Sequence, residues 1–317
     1  MKALVFVAVM ALSASLGWAD ALTNAAALWK FDGASSGYVT NANQIIDSSG
    51  NGHNATGMTN PGNTNISWAT VPLTGPGGAL TVDPFGDEGR GLSLQPGLVS
   101  QGLTDSVSAV GFTVGNFSVK GSATIATRFM WDGYISDDSN AQMNWLYANG
   151  FGVSNGWLFG IQNTGTNAIL KLFQLHFTTF ESAYVMQTGV WYDAVAVLNE
   201  DLESGGAGDS VDFYIQPSFG SLFTTNRTGT IWTNATATTL IGNETLGAGS
   251  GNQRKAFDGT IDYIAVWDRA LSQEEVAQLI IPEPPATGLI VIGAAALLVA
   301  GARRPRGRQG RPGAEGR

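Results

Sequence analysis

The chain predicts an all-β sandwich, and three observations lead there. It holds 42 glycines alongside abundant Asn, Thr and Ser. Charged residues make up only 13%, against about 25% in a typical soluble domain. Short apolar/polar alternations, broken by Gly, Asn, Asp and Pro, recur from Ala21 onward, which is the pattern of half-buried strands joined by turns.

Ala27 to Phe31 reads as a first strand, and Gly78 to Val82 and Gly91 to Leu94 as short ones. Phe117 to Trp131 alternates over the length of a full sheet strand. Gly156 to Ile161 and Ala168 to Phe177 form a pair joined by an Asn-Thr-Gly-Thr-Asn turn. Val190 to Leu198 and Ser210 to Ile215 pair across the acidic, Gly-rich segment Asn199 to Asp209. Thr238 to Gly242 and Gly259 to Trp267 close the series. One helix is expected. Ser272-Gln273-Glu274-Glu275 is a capping box, in which Ser272 and Glu275 each satisfy the other's free amide. Val276, Leu279 and Ile280 then share one apolar face. Many strands with one short helix define a β-sandwich. No Pro/Ser-rich linker divides 22–280, so one domain is expected there.

The two ends differ from this body. Lys2, an apolar stretch to Leu16 and small residues at Gly17, Ala19 and Ala21 make residues 1–21 a secretory signal peptide, cut after Ala19 or Ala21. Residues 286–302 contain no charge over 17 positions, at the lower end of the ~17–25 that span a bilayer as a helix. Arg303, Arg304, Arg306 and Arg308 follow and should remain cytoplasmic. The last stretch, 309–317, is Gly-, Pro- and Arg-rich and is expected to be a disordered basic tail.

Between residues 20 and 282 there are nine basic and 23 acidic residues, a net charge of -14, against -9 for the whole chain. So acidic a body argues against nucleic acid and anionic lipid surfaces as partners, and suits divalent cations and neutral glycans. The chain has no cysteine and only two histidines, His53 and His176. Disulfides, thiolate nucleophiles and Cys- or His-rich zinc sites are therefore excluded.

Pro282-Glu283-Pro284, the apolar segment after it and the Arg303-Arg304 stop together resemble the PEP-CTERM sorting signal of exosortase-processed bacterial proteins over 281–308. That resemblance implies export by signal peptidase and exosortase-type machinery, and a body delivered to the cell envelope or extracellular matrix. In the body, Trp29-Lys30-Phe31-Asp32 followed by Asp47 to Ala55 resembles the opening of laminin-G-like, concanavalin A-type jelly rolls. Phe257 to Ser272 resembles their closing motif, and Gly189 to Val197 their central strand, with Asp193 where that family usually has His. Pro61 to Asn155 matches the family pattern poorly. The implied architecture is a concanavalin A-like jelly-roll β-sandwich.

Asp47-Ser48-Ser49-Gly50-Asn51-Gly52 has the oxygen-rich, glycine-spaced composition that a hard cation such as calcium favours, and equally that of an Asx-type turn closed by its own hydrogen bonds. The family resemblance implies one structural calcium where first and last strands meet, held by Asp47, Asp262 and carbonyls of Gly50 or Asn51. Candidate catalytic acids are Asp258, Asp262 and Asp268, with Glu200, Asp201 and Glu203. Asp262 and Asp268 would lie about 20 Å apart on an extended strand, beyond the ~5–9.5 Å of paired glycosidase carboxyls. Glu200 to Glu203 lies in a Gly-rich solvated turn, so a non-catalytic protein is expected. Trp131, Tyr134, Trp145, Tyr147 and Trp157 are candidates for a sugar-stacking platform, with core packing as their alternative role. Trp29, Trp191 and Trp267 are expected in the core. Polysaccharide binding or adhesion follows, with a glycan hydrolase or lyase and a purely structural matrix protein as rivals. If the anchor is processed, intact mass of the exported protein should end near Pro284; retention of Arg317 would contradict it.

Overall fold

The computed structural model describes residues 24–33, 37–58, 66–71, 89–94, 111–115, 117–133, 143–151, 156–163, 168–174, 179–200, 208–231, 238–243 and 256–280. In chain order their strands are β1 (Ala27–Trp29), β2 (Gly37–Tyr38), β3 (Gly57–Met58), β4 (Ile66–Thr70), β5 (Arg90–Leu94), β6 (Phe112–Gly115), β7 (Ala123–Trp131) and β8 (Met143–Phe151). There follow β9 (Trp157–Asn163), β10 (Ala168–Gln174), β11 (Thr179–Met186), β12 (Trp191–Asn199), β13 (Ser210–Pro217), β14 (Phe223–Thr228), β15 (Thr238–Ile241) and β16 (Gly259–Trp267). One α-helix, α1, covers Gln273–Ile280.

Two antiparallel sheets stack as a jelly-roll sandwich. The first runs β14-β13-β12-β7-β16-β5-β4-β2, and β1 also pairs with β16. The second runs β11-β10-β9-β8-β15-β6-β3. The last strand is thus central. Its first residues, Gly259 to Ile261, pair with β5, and Ile264 to Val266 pair with β1 on the same side. Asp262 lies at this changeover, as the extra residue of a bulge against β7.

Inward-pointing side chains of both sheets fill the space between them. Trp29, Phe129, Tyr147, Trp157 and Phe213 are fully buried there. A second apolar layer lies on the outer face of the first sheet, where Val276, Leu279 and Ile280 of α1 pack with Leu28, Val195, Val197, Tyr263 and Trp267. The expected capping box is formed: the Glu275 carboxylate accepts from the Ser272 amide at 2.8 Å and the Ser272 hydroxyl from the Glu275 amide at 3.3 Å. Arg269 adds a two-pronged pair with Glu275 at 2.6 and 2.9 Å, which holds that carboxyl below its ordinary range.

The strand expected over 117–131 starts only at Ala123. Ahead of it, the side-chain amide of Asn149 accepts the Val119 N–H and donates to the Val119 carbonyl, both at 3.0 Å, imitating a ladder pair. Strand β8 escaped the alternation pattern because it is irregular, whereas β11 alternates in burial but puts the small polar Ser182 on its inward face. The register of β8 slips between Trp145 and Tyr147, so Leu146 and Tyr147 both join the inner core. In β11 Ala183 has φ +61°, and the pairing with β10 shifts between Ile169 and Lys171. The segment 78–82 lies outside the described residues.

At the start of β16, Gly259 has φ +150°, and a Cβ there would meet the Met130 carbonyl oxygen at 2.0 Å. Gly259→Ala should lower the unfolding free energy by about 3 kcal/mol, through backbone strain and displacement of β7, as measured by denaturant titration.

Candidate functional site

The local order at the N-terminal edge is built by Asp47. Its side chain is 7% exposed. Oδ1 accepts the amides of Leu28 (3.0 Å) and Ser49 (2.9 Å), and Oδ2 accepts the Ser49 hydroxyl and the His53 amide, both at 2.9 Å. Gly50 and Gly52 take φ +88° and +82°, the left-handed conformation that side chains disfavour, so the turn can curl around the carboxylate. The Ser48 amide donates to the Leu28 carbonyl, and the Trp29 indole donates to the His53 carbonyl at 2.9 Å. Asn51 donates to the carbonyls of Ala25 and Ala26. Burial alone pushes the Asp47 pKa up, but the hydrogen bonds from Leu28, Ser49 and His53 together bring it below the usual carboxylate value.

Against this turn opens a groove of about 650 Å³. Asn51 and His53 line it from the turn, Phe117, Ser118 and Lys120 from the segment before β7, and Asp268 from the residue after β16. The His53 ring stacks on Phe117, with centroids 4.2 Å apart and planes 32° from parallel. Phe117 in turn meets Trp29 edge-on at 6.1 Å, so the core backs the aromatic wall. Asn51, Lys120 and Asp268 are exposed and His53 and Ser118 half-buried. The groove therefore combines an aromatic pair with an amide, a hydroxyl, an ammonium and one carboxylate.

Several expected residues lie elsewhere. Trp131, Trp145, Tyr147 and Trp157 are at most 3% exposed, so they do not form the expected stacking platform. Trp157 and Tyr147 pack together in the sandwich at 5.4 Å, and the Trp131 indole donates to Asn144. Trp145 packs beside Phe173 at 6.0 Å, with Leu158 and Leu240. Strand pairing puts Trp131, Tyr147 and Trp157 inside because the sandwich needs bulky apolar fill on its interior positions, whereas Trp145 is buried in a separate cluster on the other face of the second sheet. Tyr134 lies outside the described residues, as do Asp201, Glu203 and the sorting residues Pro282, Glu283, Pro284, Arg303 and Arg304. Among the described residues no helix is long and apolar enough to cross a membrane. Asp268 was singled out in the sequence only as a candidate acid on the closing strand, and Phe117 and Lys120 not at all, since these residues meet His53 only through long-range packing.

The two carboxylates expected at a calcium site with the Gly50 or Asn51 carbonyls, Asp47 and Asp262, are not brought together. Asp47 borders β1, which separates it from β16 and hence from Asp262 by two strand spacings, about 10 Å. Both Asp47 oxygens are filled by N–H and O–H donors. Asp262 is 0% exposed and faces the Arg128 guanidinium of β7 at 3.4 Å. Among the described residues no cluster of three or more acids and histidines could hold a metal ion.

The fold and the residues of its closing strand agree with a sequence comparison. The family model of the concanavalin A-like lectin/glucanases superfamily, of laminin G type, matches residues 104–277. This is more than half of the chain, which belongs to that family. The match includes 104–155, part of the region whose pattern had looked least family-like, whereas the opening motif precedes it. Among solved structures, the chain is similar to domain 4 of AbnA, a GH43 extracellular arabinanase of Geobacillus stearothermophilus in complex with arabinotriose. Identity is 15%, coverage 81% of this chain and 98% of that one, and the TM-score 0.44. It is also similar to the CBM40 of the Ruminococcus gnavus IT-sialidase bound to α2,3-sialyllactose (15% identity, 51% and 83% coverage, TM-score 0.36). A third likeness is to the Trypanosoma rangeli sialidase in complex with sialic acid (12% identity, 80% and 32% coverage, TM-score 0.42). No curated protein sequence matches the chain.

Asp47 has a folded pKa below its unfolded value of about 3.9. Its contribution to stability is thus fully present above that value and is lost as the pH falls through the folded one. Asp47→Asn should cost about 2 kcal/mol at neutral pH, because an amide nitrogen then faces two donors. Urea melts should show the gap to wild type narrowing as the pH drops below about 4.

Proposed function

We propose that this protein is an exported, non-catalytic carbohydrate-binding protein, and that a neutral glycan chain occupies the groove between the Asn51–His53 turn, the 117–120 segment and Asp268. The observation that carries this reading is the composition of the groove. A pyranose or furanose ring offers apolar C–H faces and hydroxyl edges, which suit an aromatic wall and convergent amide, hydroxyl and charged groups. The half-buried His53 ring, backed by the buried Phe117, supplies the first, and Asn51, Ser118, Lys120 and Asp268 the second. The volume of about 650 Å³ accommodates a short oligosaccharide. Lectins and glucanases make up the superfamily to which the chain belongs.

Binding is favoured over hydrolysis by the carboxyl inventory. Glycosidases flank the scissile bond with two acids about 5–9.5 Å apart, and Asp268 is the only acid among the described lining residues. Export and a processed C-terminal anchor rest on the leader at 1–21 and the Pro-Glu-Pro, apolar and arginine order of 281–308. Delivery would be to the envelope or extracellular matrix, where a lectin-like domain meets polysaccharide.

Calorimetric titration with a panel of neutral oligosaccharides should find a binder and detect no release of reducing ends. His53→Ala and Asp268→Ala should each weaken that binding about tenfold, with melting temperatures near wild type because both side chains lie at the groove rim. Absence of binding to every glycan in the panel would exclude the groove as a sugar site.

A further inference from the structure

The outer face of the first sheet carries a row of charges beside the junction of first and last strands. Arg128 of β7 is 3% exposed at its side chain and lies 3.4 Å from the fully buried Asp262 of β16. On its other flank, Asp193 of β12 is its direct cross-strand partner, and directly paired residues share a face. The guanidinium also lies 5.6 Å from the centre of the Trp191 ring, a cation–π arrangement. Arg128 is therefore set between a carboxylate on each neighbouring strand and held by an aromatic wall.

We infer that the junction of the first and last strands holds without a divalent cation, because the Arg128 guanidinium supplies the positive charge that a buried Asp262 requires. Burying a carboxylate without a compensating charge is strongly unfavourable, whereas a paired one is tolerated. A calcium ion takes oxygen ligands at about 2.3–2.6 Å. At Asp262 it would sit within a few ångströms of the guanidinium, at a separation where like charges repel strongly in a poorly solvated site. The second carboxylate of the junction is closed in a different way. Asp47 receives four hydrogen bonds from within 25 residues of itself, and a cation at either oxygen would displace an N–H or O–H donor. One acid is thus neutralised by arginine and the other satisfied by the turn it organises. The bulge at Asp262 explains the placement: the extra residue re-aims its side chain toward β7 at the level where β16 passes from β5 to β1.

Thermal melting of the purified protein tests this independently of any glycan. Wild type should melt at the same temperature in excess chelator and in millimolar calcium. Arg128→Met should melt several degrees lower, and adding Asp262→Asn to it should recover part of the loss. That sub-additivity marks a charge pair, which loss of arginine packing alone would not produce. If Arg128→Met does not fold, a folded Arg128→Met/Asp262→Asn protein demonstrates the same coupling. Arg128→Lys, which retains charge, should lie between wild type and Arg128→Met. A wild-type melting temperature that falls in chelator, strictly additive substitutions, or a double variant that stays unfolded would overturn the inference.

Discussion

The carboxylate of Asp47 is the contact on which the N-terminal half of the sandwich depends. A β-strand as short as β1 has few ladder bonds, and its Leu28 amide would otherwise be a buried donor without a partner on the Asp47 side. Asp47 accepts that amide and three further donors from its own turn. The turn so shaped presents the His53 carbonyl to the indole of Trp29, which anchors β1 in the core beside Phe117 and Tyr147. Strand pairing, core anchoring and the groove wall thus share one buried anion.

The same economy explains why so acidic a chain keeps an ordered sheet. Three of the buried acids have a local answer. Asp47 accepts three backbone amides and the Ser49 hydroxyl, Asp262 is paired with Arg128, and Asp209 accepts the Ile231 amide at 2.7 Å. Among the described residues, Asp268 and Glu274 lie on the surface, where water screens their charge. Basic residues are scarce, so the position of a single arginine on the central strand β7 has structural weight well beyond its share of the composition.

The aromatic residues show how far pattern reading reaches. Trp29, Trp191 and Trp267 were expected inside, and they are at most 9% exposed. Trp131, Trp145, Tyr147 and Trp157 were ambiguous in the sequence, because an aromatic on a strand reads alike whether its face meets solvent or another sheet. Only the β8 bulge, the pairing of β8 with β9 and β15, and the pairing of β7 with β16 settle which way each ring points. The groove lay beyond the sequence for a related reason. Its walls come from positions near 51, 117 and 268, and nothing local to any of them signals that the other two are neighbours.

The sequence by itself determined the fold class, the closing strand, the capped helix and the acidic, cysteine-free character of the body. These follow from local chemistry: period-two alternation, glycine and asparagine turns, and the reciprocal bonds of Ser272 and Glu275. Tertiary structure decided what the Asp47–Gly52 turn is. The composition allowed a calcium loop or a self-bonded turn, and the structure forms the latter, with donors from β1 and from the turn itself on both oxygens. It also decided that Asp262 faces arginine rather than that turn, because β1 stands between them and the bulge aims its side chain toward β7. Sheet register is a long-range property, and a one-residue slip changes which face a side chain occupies; that is why the site could be read only after the strands were paired.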